Sequence, residues 1–164
     1  VDRAESEAEL AHLINVSGAE SAARAAARLN IPIIQLSTDY VFDGSLDRPY
    51  REDDPASPIG VYGESKLHGE RAVAIASGNH VILRTAWVYS PFGKNFARTM
   101  LALAGKQETI SVVSDQLGSP TNALDLADGI IAVARNLLDR PAAEKLRGVF
   151  HITGGGATTT GSRG

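Results

Sequence analysis

The chain has 164 residues, 43% of them hydrophobic and 21% charged, which suits one folded domain with a real core and excludes a disordered or fibrous class. A net charge of -3 and a pI near 5.8 argue against a dedicated nucleic-acid binder, and the lack of cysteine rules out disulfides and thiolate chemistry, as expected of a cytoplasmic protein. No apolar run reaches the roughly 20 residues that span a bilayer, and the start has no secretory apolar stretch, so no membrane partner is expected.

Val1-Asp2-Arg3-Ala4-Glu5 has no strand before it, and no Gly-x-x-Gly-x-x-Gly opens a helix near it. Asp2 is either a site carboxylate or a solvated loop residue. Ser6 to Leu29 reads as one long helix: Ser6 and Glu9 form a capping-box pattern, and Leu10, Leu13, Ile14, Ala22, Ala26 and Leu29 recur at helical spacing. Asn30 and Pro32 end it. Asn15 lies inside, where an amide is a poor helix former unless it has a task; otherwise it is an exposed amide.

The apolar run Ile31-Pro32-Ile33-Ile34-Gln35-Leu36 predicts a strand, and the polar stretch Ser37-Thr38-Asp39-Tyr40-Val41-Phe42-Asp43-Gly44 follows it. Hydroxyls and carboxylates at the carboxyl end of a strand lie where open α/β sheets bind their ligands. The connection from Asp43 to Pro58 contains Pro49, Pro55 and Pro58 and reads as a functional or mobile loop outside the core. Its charge run Arg51-Glu52-Asp53-Asp54 is expected to be solvated and is given no chemistry.

Val61 to Ala76 predicts a helix that stops at Ser77-Gly78. Tyr62 and Lys66, about one turn apart, share a face of it. A phenol beside an ammonium ionises more readily, and such a pair suits proton transfer at a carbonyl oxygen. By itself the pair fits equally a surface tyrosine stacked over an aliphatic lysine stem. His80 to Thr85 then predicts a buried strand, which makes strand, crossover helix and strand in succession. The lone tryptophan, Trp87, is a core residue by default, yet its place just past a parallel strand favours a ligand wall.

Pro91 to Phe96 is a Gly/Pro turn leading into a helix from Ala97 to Ala104, and Ile110 to Val113 predicts a short strand. Ser114 to Thr121 reads as a connector or a loop of the pocket. Asn122 can cap a helix from Ala123 to Leu138 with Leu124, Ala127, Ile130, Ile131 and Ala134 on its apolar side, and Val149 to Thr153 is the last strand. The four histidines lie far apart without metal-ligand spacing, so no metal site is expected.

Four motifs run in order along the chain: Ser37-Thr38-Asp39-Tyr40-Val41-Phe42-Asp43-Gly44, Tyr62-Gly63-Glu64-Ser65-Lys66, Leu83-Arg84-Thr85-Ala86-Trp87-Val88-Tyr89 and Asp115-Gln116-Leu117-Gly118-Ser119-Pro120-Thr121. Together they resemble the dTDP-4-dehydrorhamnose reductases among the extended short-chain dehydrogenase/reductases; Tyr-x-x-x-Lys alone would be a weak signal. The resemblance implies an α/β fold, the later part of a Rossmann-type doubly wound parallel sheet over residues 1–153 with interleaved segments of a small substrate-binding lobe. Residues 154–164 are expected to form a flexible or truncated tail. In the family the first strands and their glycine-rich turn would precede Val1.

The implied reaction is reduction of dTDP-4-dehydro-6-deoxy-L-mannose to dTDP-L-rhamnose with NADPH or NADH, in cell-surface polysaccharide biosynthesis. Tyr62 would donate the proton. Lys66 would lower the phenol pKa and bind the nicotinamide ribose, helped by Asn15. Thr38 would bond the same substrate oxygen beside Asp39. Ser37 and Asp2 would lie toward the cofactor, and Tyr40, Trp87, Asn95, Ser119 and Thr121 toward the dTDP-4-keto-6-deoxy sugar. A homodimer is the assembly the resemblance allows, with no nucleic acid or membrane partner. Alternatives are another nucleotide-sugar 4-keto reductase, a dehydratase or epimerase of the same superfamily, or a non-catalytic regulatory subunit like that of methionine adenosyltransferase. Related dehydratases resemble Ser-Thr-Asp-Glu at the first motif, and here Tyr40 stands in the glutamate's place.

Overall fold

In the computed structural model, which describes residues 1–107, 109–113 and 115–159, the stretch expected as one helix from Ser6 to Leu29 is broken. It comprises α1 (Asp2–Ser6), α2 (Ala8–His12), a π-helical turn over Leu13–Gly18 and α3 (Ala19–Arg28). Ser6 does not cap the next helix; its hydroxyl donates back to the Arg3 carbonyl at 3.1 Å. Asn15, Val16 and Gly18 are weak helix formers, so the wider turn costs little there. Each residue advances a helix by about 100°, so the extra residue in a π turn rotates the apolar face expected from an unbroken period. Accordingly Leu13, Ile14 and Leu29 are 61%, 61% and 69% exposed, while Ala19, Ala23 and Ala26 are buried.

β1 (Ile33–Thr38) follows, then a single 3-10 turn at Asp39–Val41, α4 (Val61–Ala76) and β2 (His80–Thr85). The Ile33 N–H donates to the Asn79 carbonyl at 3.0 Å, aligning the start of β1 with the start of β2. Ala19 and Ala23 of α3 pack with Val73 of α4, joined by Ile33 and Ala76. α6 (Ala123–Asp139) leads to β6 (Gly148–His151), which pairs in parallel with β2 from Val81↔Gly148 to Arg84↔His151. The sheet order β1-β2-β6 with a helix between successive strands is a Rossmann-type α/β arrangement. In α6 the buried leucines are Leu126 and Leu137, whereas Leu124 and Ile131 of the expected apolar side are 51% and 48% exposed.

The Asp43–Pro58 loop contributes to packing, contrary to expectation. Phe42 and Tyr50 stack with centroids 4.2 Å apart over Val41 and Leu67. The Tyr50 hydroxyl donates to Asp43 at 2.7 Å, Arg48 grips Asp54 through two bonds of 2.7 and 2.8 Å, and Glu52 accepts the His151 N–H at 2.9 Å. The charge run is therefore used to close the loop on itself and on β6.

These elements form one compact unit, Val1–Arg84 with Ile130–His151; a second comprises Thr85–Gly129 and the chain from Ile152. The second unit holds β3 (Val88–Tyr89) parallel to β5 (Thr121–Asn122), α5 (Phe96–Ala104), and β4 (Leu117–Gly118) antiparallel to β7 (Thr158–Thr159). Ile110–Val113 forms no strand, unlike the expectation from its β-prone residues. The expected loose tail is folded as far as Thr159: β7 is paired, and the Gly154 N–H donates to Thr121 Oγ1 at 3.1 Å. Ser114 and the tail from residue 160 lie outside the described residues. No helix among the described residues is long and apolar enough to cross a membrane.

Candidate active site

β1 ends at Thr38, whose extended backbone starts the 3-10 turn and whose hydroxyl accepts the Tyr40 N–H at 3.2 Å. The same hydroxyl donates to Asp39 Oδ1 at 3.1 Å and is near enough to the Tyr62 phenol to act on its pKa. Tyr62 sits in the first turn of α4, and its ring meets Tyr40 edge-on with centroids 5.7 Å apart. α4 approaches the turn this closely because Gly63 has no side chain; a Cβ there would overlap the Tyr40 carbonyl. Tyr62, Thr38, Asp39 and Tyr40 are thus brought together at the carboxyl end of β1.

Lys66 lies one turn beyond Tyr62, and its Nζ donates to the Leu36 carbonyl at 2.6 Å. Burial lowers its pKa, with the charge of Glu70 opposing. The Tyr62 phenol is pushed above its ordinary value by burial, against the Thr38 hydrogen bond and with the charges of Asp39 and Tyr40 adding to the rise. Depression of the phenol by Lys66, expected from spacing alone, is not what acts on it, because desolvation disfavours the phenolate more strongly. Burial likewise raises Asp39 and Tyr40; the charges of Asp39 and Asp2 add to the rise at Tyr40 and mark Asp2 as a neighbour.

Asn15 contributes through an intermediary. Its Nδ2 donates to Ser65 Oγ at 3.0 Å, and Ser65 donates to the Tyr62 carbonyl at 2.9 Å. Gly69 permits this contact between helices, since a Cβ would run into the Asn15 carbonyl. Sequence reasoning missed Ser65, although it lies within the Tyr62-to-Lys66 motif. It also missed Glu5, which accepts the Tyr62 N–H at 3.4 Å and supplies the acidic group that the α4 N-terminus lacks in its own cap.

In the second unit Trp87 adopts φ 43°, a left-handed backbone that is strained for a bulky side chain. Its half-buried ring lies where a Gly118 side chain would stand, and its carbonyl accepts the Thr121 N–H at 3.2 Å. Thr121 is buried and donates to the Ser119 carbonyl at 3.2 Å. Asn95 serves as N-cap of α5, accepting the Arg98 N–H at 3.1 Å while its Nδ2 donates to the Ser90 carbonyl at 2.7 Å.

The residues at the end of β1 fit the reactive end of a nicotinamide dinucleotide. Ser37 Oγ is buried without a hydrogen-bond partner among the described residues, and the Lys66 ammonium stands beside the Leu36 carbonyl. The fold also assembles a cluster that sequence reasoning did not find. One ligand atom each of His12, Glu64 and His68 lies within 4.8 Å of the others. Its sequence trace is the four-residue spacing of Glu64 and His68; His12 joins only through packing.

A parallel Rossmann-type sheet whose strand end meets a Tyr-x-x-x-Lys helix defines the class of extended short-chain dehydrogenase/reductases. The chain belongs to the family described as the RmlD substrate binding domain, which matches residues 1–162. It is similar to proteins named dTDP-4-dehydrorhamnose reductase: 52% identical over 156 residues to that of Sinorhizobium fredii, covering 95% of this chain and 52% of the relative. The protein of the same name from Salmonella typhimurium is 46% identical over 159 residues, covering 97% and 52%. Among solved structures, the dTDP-4-dehydrorhamnose reductase of Bacillus anthracis in complex with NADP superposes with TM-score 0.88 at 38% identity, over 97% of this chain and 54% of that one. The chain therefore spans about half the length of the relatives it matches.

Proposed function

We propose that the complete protein containing this chain reduces dTDP-4-dehydro-6-deoxy-L-mannose to dTDP-L-rhamnose. The observation that carries the reading is the placing of Tyr62, one helical turn from Lys66, against the Thr38-Asp39-Tyr40 turn at the end of β1, its ring edge-on to Tyr40 at 5.7 Å. The names of the relatives and the NADP complex of the Bacillus anthracis protein support it. Bound NADPH or NADH would supply the hydride to the sugar C4.

Tyr62 gives its phenolic proton to the carbonyl oxygen as that oxygen gains charge, so the ketone becomes a hydroxyl and the tyrosine a phenolate. Thr38 turns its hydroxyl proton from Asp39 to the same oxygen. Lys66, on the same helix face, binds the nicotinamide ribose, and Ser37 and Asp2 border the cofactor. Tyr40, Trp87, Ser119 and Thr121 are assigned to the sugar side, with Asn95 holding the turn before α5. The proposed assembly is a homodimer, for which the exposed Leu13 and Ile14 offer an apolar surface.

A 4,6-dehydratase needs an added base at the position of Tyr40, and that phenol is held protonated by burial and by the charges of Asp39 and Asp2. The complete protein should consume one NAD(P)H per dTDP-4-dehydro-6-deoxy-L-mannose and leave dTDP-glucose untouched. Formation of a 4-keto-6-deoxy product from dTDP-glucose would reverse the reading, and absence of turnover on either sugar would favour a regulatory subunit.

A further inference from the structure

Glu64 and His68 are spaced i, i+4 on α4, and His12 is the last residue of α2. The His12 and His68 rings lie with centroids 5.6 Å apart at 44°. Both histidines are half-buried and Glu64 is exposed. The other two histidines are engaged elsewhere: His80 Nδ1 is 2.6 Å from the Ser77 carbonyl, and His151 packs edge-on to Phe42. Two imidazoles and a carboxylate converge here, and none of the ion pairs among the described residues engages Glu64.

We propose that His12, Glu64 and His68 bind one zinc-class divalent ion, with water in the fourth position. Zinc takes imidazole nitrogen and carboxylate oxygen at about 2.0–2.2 Å, which sets tetrahedral ligand atoms roughly 3.4 Å apart. The three side chains reach that spacing from 4.8 Å by rotamer changes that their partial exposure allows. Two imidazoles favour zinc, nickel or copper over magnesium and calcium, which take oxygen ligands. Glu64 follows Tyr62 by two positions and His68 follows Lys66 by two, a rotation of about 200° each, so the ion lies on the face of α4 away from the proposed chemistry. It ties α2 to the helix that carries Tyr62 and Lys66, as a brace and not as a reactant.

The test uses tag-free protein and zinc chloride, with magnesium chloride as control. Calorimetry should give one zinc per chain, and zinc at a hundredfold excess over its dissociation constant should raise Tm by about 5–10 °C, reversed by EDTA. Cobalt(II) added to the unaltered protein should develop the visible bands of a tetrahedral nitrogen/oxygen site and lose them when zinc displaces it. His12→Gln, Glu64→Gln and His68→Gln should each weaken zinc at least tenfold, while circular dichroism and metal-free Tm stay those of the parent. Equal zinc affinity in parent and His68→Gln, or cobalt without tetrahedral bands in the unaltered protein, would overturn the site. None of these readouts depends on reductase turnover, so failure of the functional reading leaves them interpretable.

Discussion

Tyr62 is the residue on which the proposed chemistry turns, and its environment determines how it should respond to substitution and to pH. Tyr62→Phe keeps the ring against Tyr40 and removes the proton, so turnover of the complete protein should fall about 10²–10⁴-fold, with little change in cofactor affinity. Near-normal steady-state turnover would take the donor role away from it. Reduction needs the protonated phenol, and burial raises its pKa above the ordinary value. Activity limited by this group is therefore present below that raised pKa and lost only as pH rises through it. The pH profile of kcat should stay level across neutrality and decline on the alkaline side; a decline beginning near pH 7 would mean that Lys66 depresses the phenol after all.

α4 is held to β2 by Arg84 and Glu70, whose side chains are only 8% and 5% exposed. The guanidinium donates through Nε to Oε1 at 3.0 Å and through Nη2 to Oε2 at 2.7 Å, a fork that satisfies both carboxylate oxygens. Its carbon also stands 5.1 Å from the Phe42 ring centroid. Arg84→Met would leave Glu70 buried and unpaired, at a cost of about 3–5 kcal/mol in urea unfolding, whereas the double change Arg84→Met with Glu70→Leu should recover most of it. A loss under about 1 kcal/mol in the single variant would show that the pair does not hold the helix. Because Glu70 lies one turn past Lys66 and supports its charge, the same variants link packing to the site.

Across the whole molecule, the carboxylates of the Asp43–Pro58 loop set the acid limit. Hydrogen bonds from Tyr50 and Ser45 lower the Asp43 pKa to about 2, the Arg48 contact lowers Asp54, and the His151 N–H lowers Glu52. A depressed carboxylate adds stability above its unfolded pKa and loses it as pH falls through the folded one. Asp39, raised by burial, runs the other way. Three groups against one predict loosening of the loop as pH falls from the ordinary 3.8 of an aspartate through about 2, visible as faster proteolysis between Asp43 and Pro58. Tyr50→Phe should move the onset upward; an unchanged onset would remove Asp43 from the account.

The sequence by itself determined the elements whose signals are local. α4 and β2 run over the residues expected, because a Ser-Gly stop and a run of apolar residues need no distant partner to be read. The ordered motifs likewise named Tyr62, Lys66 and Thr38 together, and the fold places Tyr62 beside the turn that Thr38 opens. What only the tertiary structure decided depends on segments far apart in the chain: Asn15 meets Ser65 fifty residues on, and His12 meets His68. The π turn, the choice of Ala19, Ala23 and Ala26 over Leu13 and Ile14 as the buried face, and the upward shift of the Tyr62 phenol follow from close packing and loss of water. Periodicity records which residues are apolar, but desolvation and backbone approach depend on which neighbour arrives, and that is set by the folded chain as a whole.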